Sequence, residues 1–386
     1  MQILQGVVRH YDWGSESDIP SLLGVAADGR PWAELWLGAH PSAPSTVGST
    51  GTTLDELIGS DPESALGSDV NSRFGSLPFL LKVLSAAAPL SIQAHPSRSQ
   101  AIAGFERENA AGIPIDAPNR SFRDRNHKPE LICALTRFEA LSGFRDPRLT
   151  LELLETIDTP ALDPVRSRLV GHDPESLADL LEWMLTLDRS EAAAMVDSVV
   201  QSCRVGGGPR FASEREMAVE LAARYPGDIG VLTALLLNRV VLAPGEAMFL
   251  GSGSLHAYLH GTGVEIMANS DNVLRGGLTP KHMDVGSLLE VVDARPAVPD
   301  VQTPASSSPI TRYRSPVPEF SLTRYAVDGT LPIDRGPAIL LCTEGCVHLG
   351  HHTLDKGEAM WVPAEAEPAP ADGRGTLFQA GVGSTD

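Results

Sequence analysis

The 386-residue chain is short of positive charge: 30 lysines and arginines stand against 49 aspartates and glutamates, a net charge of −19. That balance opposes long-range attraction to nucleic acid and to anionic membranes, so an anionic ligand has to be held by a local cluster of cations. Cysteine is scarce as well. Cys133, Cys203, Cys342 and Cys346 form no paired zinc-knuckle spacing, which leaves buried free thiols as the expectation. No apolar run is long enough to span a bilayer. The opening Met1-Gln2-Ile3-Leu4-Gln5-Gly6 also lacks the basic flank and apolar stretch of a signal peptide, so a cytoplasmic location is expected. Low-complexity tracts and short-period repeats are missing too. What is present is a globular composition, 42% apolar and 20% charged, on a chain too long for one core, so two or three domains are expected.

The texture changes three times along the chain. Residues 1–145 are rich in glycine, proline and short apolar runs such as Pro78-Phe79-Leu80-Leu81-Lys82-Val83-Leu84, and read as short strands with irregular loops. Residues 146–237 read as a helical block. Asp173-Pro174 caps a stripe of Leu177, Leu180, Leu181 and Met184, Ser213 with Glu216 resembles a capping box, and Tyr225-Pro226-Gly227 is a stop. Strand character returns in 238–295. After a proline-rich connector, 296–386 reads as a second antiparallel set, with Ala338–Leu341, Gly345–Leu349 and Ala359–Val362 as strands.

Three stretches carry candidate ligands: Ser91-Ile92-Gln93-Ala94-His95, His127-Lys128-Pro129-Glu130 and Leu255-His256-Ala257-Tyr258. Strand side chains repeat every two residues, so Ser91, Gln93 and His95 share one face, as do His256 and Tyr258. Pro96 and Pro129 push the residues before them towards extended backbone. Gln93, His95, Glu130 and His256 supply two oxygens and two imidazole nitrogens, enough for a divalent metal with a position left for water or substrate. Without a thiolate, the set admits zinc, manganese, iron or cobalt. Because its members lie on both sides of the helical block, the two strand regions flanking that block must close into one unit.

Longer matches surround these stretches. Ser91–Pro96, Asn126–Leu131, Leu255–Leu259 with Glu265, and Ser270–Lys281 resemble the signatures of type I mannose-6-phosphate isomerases, as do Tyr11-Asp12-Trp13-Gly14 and Glu34-Leu35-Trp36-Leu37-Gly38. Ser97-Arg98 departs from the acidic or amide residue followed by lysine expected there in many relatives. The resemblance implies a mainly β protein of jelly-roll, cupin-like barrels with a helical insertion. One barrel would be built from 1–145 and 238–295, and a jelly-roll-like domain from 296–386. It implies one zinc ion per chain on Gln93, His95, Glu130 and His256, and interconversion of mannose 6-phosphate and fructose 6-phosphate through an enediol. Lys128 and Glu265 are then the base and acid candidates, Arg275 the group that balances enediolate charge, and Ser91, Lys82 and Lys281 the phosphate clamp. A metal-dependent sugar-phosphate receptor on the same barrel is the alternative, disfavoured by the proton-transfer groups beside the ligands. The expected partner is a small sugar phosphate, with no nucleic acid and no membrane; the sequence does not specify an oligomeric state.

Overall fold

Thirteen consecutive residues, His256–Ala268, form the strand on which the molecule is organised. The computed structural model describes residues 1–49, 51–169, 174–305 and 308–384. The strand begins paired with Phe138–Phe144 and, at His256, with Gln93 of Ile92–Ala94. From Gly261 onward it pairs with Phe79–Ala86, and from Gly263 with Glu130–Ala134. Its partners change at a bulge between Tyr258 and His260, followed by Gly261 at φ +120°. A Cβ at Gly261 would stand 2.6 Å from the Arg137 carbonyl oxygen, so glycine is required where the strand bends. Among the described residues, the sheet built on this strand has eleven strands, all antiparallel.

Helices fill the interval between the two halves of this sheet, from Pro147–Glu155 to Gly230–Leu236. Their apolar stripes pack against the back of the ligand strands: Ile92, Ala94, Leu255 and Ala257 share one core with Leu177, Leu181, Val196 and Leu232. Each fully buried leucine, isoleucine or valine of this core contributes about 1.5–3 kcal/mol. Period-two alternation then turns Gln93, His256 and Tyr258 to the opposite face. The helix Pro174–Leu185 follows the expected stripe, while its expected cap Asp173 lies outside the described residues. The expected capping box at Ser213 is corrected. The helix runs Ala212–Arg224 with Phe211 at its N-cap (φ 57°), and the Ser213 hydroxyl donates to Glu214 inside the first turn. Buried Arg215, donating to the Gly208 and Arg210 carbonyls, organises the preceding loop and overrides the local signal.

A second antiparallel sheet, of eight strands among the described residues, takes most of its strands from Ile310 onward. The two runs expected at 338–341 and 345–349 are one strand, Ala338–Leu349, with an irregularity between Cys342 and Glu344. Two N-terminal strands, Gln2–Gln5 and Thr46–Val47, join this sheet, the first beside Ala359–Val362. Conversely, Val301–Gln302 pairs with Ala247–Leu250 of the larger sheet. A boundary at residue 296 therefore does not separate every strand. One core joins the sheets, with Leu131, Cys133 and Val264 packing among Phe320, Ile339 and Trp361. All four cysteines are free, and no described helix is long and apolar enough to cross a membrane.

Candidate metal centre

His95, Glu130 and His256 converge although each comes from a different segment. Their donor atoms all lie within 4.8 Å of one another. Glu130 Oε2 is 3.5 Å from His95 Nε2 and 3.4 Å from His256 Nε2. Tetrahedral coordination at about 2.0–2.1 Å puts neighbouring donors about 3.3 Å apart, so the spacing suits one small cation. Both imidazoles are oriented from behind: His95 Nδ1 donates to Asn272 O at 2.8 Å and His256 Nδ1 to Ser254 O at 2.9 Å. Those bonds fix the tautomer that leaves each Nε2 with a free lone pair.

Glu130 Oε2 and His256 Nε2 are fully buried without a hydrogen-bond partner. Leaving such atoms unsatisfied costs about 1–3 kcal/mol each, a deficit that a bound cation removes. Burial, followed by the nearby Lys128 ammonium, pushes the His95 pKa down to about 4, keeping the ring neutral and basic. Burial alone would raise Glu130, but Lys128 and the imidazoles outweigh it and hold the carboxylate well below its usual range. Gln93 is half-buried and directly cross-strand from both His256 and Arg275, on the pocket face.

Around the ligands lies a layer of buried charge. Lys128 Nζ donates to Glu130 Oε1 at 2.5 Å and stands 3.5 Å from His95 Nε2. Glu265 accepts from Tyr258 Oη at 2.9 Å and from Lys82 Nζ at 3.1 Å. Burial raises the Glu265 pKa, with Lys82 opposing and Glu130 adding to the rise. Lys82 also reaches Glu34 Oε1 at 3.4 Å, and Trp36 Nε1 holds the other Glu34 oxygen at 2.8 Å.

Lys82 and Lys281, both expected at the phosphate, have different charged neighbours. Lys82 is committed to Glu34 and Glu265, whereas the charged neighbours of Lys281 are Arg275, Arg123 and Asp12. Burial, then Arg123, lowers the Arg275 pKa, and its guanidinium has no ion-pair or hydrogen-bond partner among the described residues. Sequence reasoning missed Arg123, and it missed two supports. Asn272 ties the 123–126 loop down: its side chain accepts from the backbone of Arg123 and donates to Asp124 and Asn126. Asp228 does the same for the loop that carries Lys281, accepting from the backbone of Gly230, Leu278 and Thr279. That loop needs the clamp, since Leu278 sits at φ 54°.

Residues 1–147 match the family model described as phosphomannose isomerase type I, catalytic domain. The chain is 39% identical over 393 residues to the mannose-6-phosphate isomerase of Escherichia coli (strain K12), an alignment covering 98% of each. The chain belongs to the type I phosphomannose isomerases. Identity to the Homo sapiens mannose-6-phosphate isomerase is 33% over 412 residues, covering 97% of this chain and 92% of that one. The Salmonella typhimurium enzyme, in a crystal structure bound to fructose 6-phosphate and zinc, superposes with a TM-score of 0.90 at 37% identity over 100% of both chains. Its apo form gives the same TM-score at 38% identity, covering 100% of this chain and 99% of that one. The His95, Glu130 and His256 cluster could hold a metal ion.

Proposed function

We propose that this chain is a zinc-dependent isomerase that interconverts mannose 6-phosphate and fructose 6-phosphate, with one zinc ion on Gln93, His95, Glu130 and His256. The observation that carries the reading is the converging set of buried donor atoms, two of them without a hydrogen-bond partner, each imidazole already oriented through its other nitrogen. It stands in a chain that aligns end to end with enzymes of that name. The catalytic unit is a cupin-like barrel from 1–145 and 238–295, interrupted by the helical domain 146–237 and followed by a jelly-roll-like domain, 296–386. The two antiparallel sheets and the helices between Pro147 and Leu236 support that division, with the exchanged terminal strands as its qualification.

The reaction moves a proton between C1 and C2 while the oxygens on those carbons exchange alcohol and carbonyl roles. Bound zinc supplies Lewis acidity and charge stabilisation at those oxygens. Lys128, whose ammonium lies between the Glu130 and His95 donors, and Glu265 are the proton carriers. The raised pKa of Glu265 suits it to hold a proton that an ordinary carboxyl has lost, and Tyr258 and Lys82 fix its orientation. Arg275, charged and unpaired, balances the enediolate. Ser91 and Lys281 take the phosphate, with Arg123 beside Lys281. Lys82, expected in that clamp, is better placed as the charge partner of Glu265. A coupled assay that follows fructose 6-phosphate formed from mannose 6-phosphate tests the reading: turnover abolished by chelator is expected, and tight sugar-phosphate binding without turnover would leave only a receptor.

A further inference from the structure

Glu319 belongs to the segment between the strands Ile310–Tyr313 and Ser321–Asp328 of the C-terminal sheet, yet its carboxylate is spent on the catalytic unit. One oxygen, Oε1, accepts from His127 Nε2 and from Arg98 Nη2, each at 2.8 Å. His127 immediately precedes Lys128 and lies three residues before Glu130, while Arg98 lies three residues after His95. A single side chain thus braces two of the three segments that deliver the buried candidate ligands. The brace is rigid at its base: Phe320, next in the chain, is fully buried in the core shared by the two sheets, and its carbonyl accepts from Ser315 Oγ at 2.9 Å.

Adjacent in the chain, His127 bonds Glu319 of the C-terminal sheet and Lys128 bonds Glu130 at the ligands, so fixing His127 fixes the backbone that carries Lys128. Glu319 itself is only 4% exposed, and its second oxygen, Oε2, is buried without a partner. Leaving that oxygen unsatisfied costs about 1–3 kcal/mol, which the two hydrogen bonds on Oε1 offset.

We propose that Glu319 is a positioning residue, through which the C-terminal sheet sets the placement of Lys128 and of the metal-ligand segments by way of His127 and Arg98. This rests on the reading of Lys128 as a proton carrier beside a metal site. The test uses the full-length, zinc-loaded chain with Glu319→Ala and Glu319→Gln. Glu319→Ala should lower kcat for mannose 6-phosphate on the order of tenfold while KM stays nearly constant, and chelator competition should show zinc held about tenfold less tightly. Glu319→Gln, which keeps the size and an accepting oxygen for His127, should fall between that variant and the wild type. In a His127→Ala background, Glu319→Ala should lower kcat by clearly less than it does in the wild type, because the route through His127 is already gone and only the contact with Arg98 remains to be lost.

Wild-type kcat and zinc affinity in Glu319→Ala, with only the melting temperature lowered, would reduce Glu319 to a structural brace and overturn the proposal. Fully multiplicative losses in the double variant would overturn it as well. If Glu319→Ala fails to fold, Glu319→Gln decides alone: lowered kcat at a wild-type melting temperature supports the proposal, and wild-type kcat refutes it. Should the wild type itself not isomerise mannose 6-phosphate, the functional reading falls, and the zinc competition arm still judges Glu319.

Discussion

The helical block and the C-terminal sheet each hold, through one carboxylate, a segment that carries expected site residues, but they grip different things. Asp228, at the end of the helical block, binds backbone amides and so fixes the shape of the loop that carries Lys281. Glu319, from the C-terminal sheet, binds side chains beside the ligands and beside Lys128. On this account one appendage shapes the phosphate end and the other the reacting end.

The largest expected effect belongs to neither appendage. His256→Ala removes a ligand from a strand with its own core, so the chain should stay folded while activity falls to background and elemental analysis finds the zinc lost. Next, Arg275→Ala should lower kcat on the order of 100-fold or more, with zinc content intact, because the charge it balances develops in the transition state. Lys281→Ala should act on KM instead, since a phosphate that does not react is bound alike before and during the chemistry. If both variants only raise KM, Arg275 is a binding residue.

Asp228→Ala sharpens the comparison directly. Three amides lose their acceptor, the loop at Leu278 loosens, and KM should rise on the order of tenfold, equivalent to about 1.4 kcal/mol, with kcat little changed. The opposite split, kcat down and KM unchanged, would erase the distinction between the two appendages. The smallest effect is on stability without metal. The folded pKa of His95 lies below its ordinary value, at about 4 against 6.5, so the unfolded chain takes up the proton first. The metal-free protein should therefore lose melting temperature as pH falls from 6.5 to about 4, by a few degrees, and His95→Gln should flatten that part of the profile.

Much of this was legible in the sequence because it depends on short-range rules. Strand parity placed Gln93 and His256 on the pocket face, and the position of Glu130 and His256 on either side of the helices required the interrupted unit. The support was not legible, because it is long-range: Asn272 holds Arg123 across 149 residues, and Glu319 holds His127 across 192. No local pattern marks either carboxylate or amide as a clamp. Lys82 shows the same limit: the family resemblance assigned it to the phosphate, and only sheet register reveals that it stands opposite Glu265 and Trp36. At Ser213 a good local capping signal yielded to Arg215 and the loop it organises.

The claim on which the rest depends is that one metal pocket, assembled from both sides of the helical block, runs the reaction. Titrating zinc into the metal-stripped chain while following fructose 6-phosphate formation tests it most directly. Activity should rise from background in a straight line and level off at one zinc per chain; turnover by the stripped chain, or a plateau at any other ratio, would contradict it.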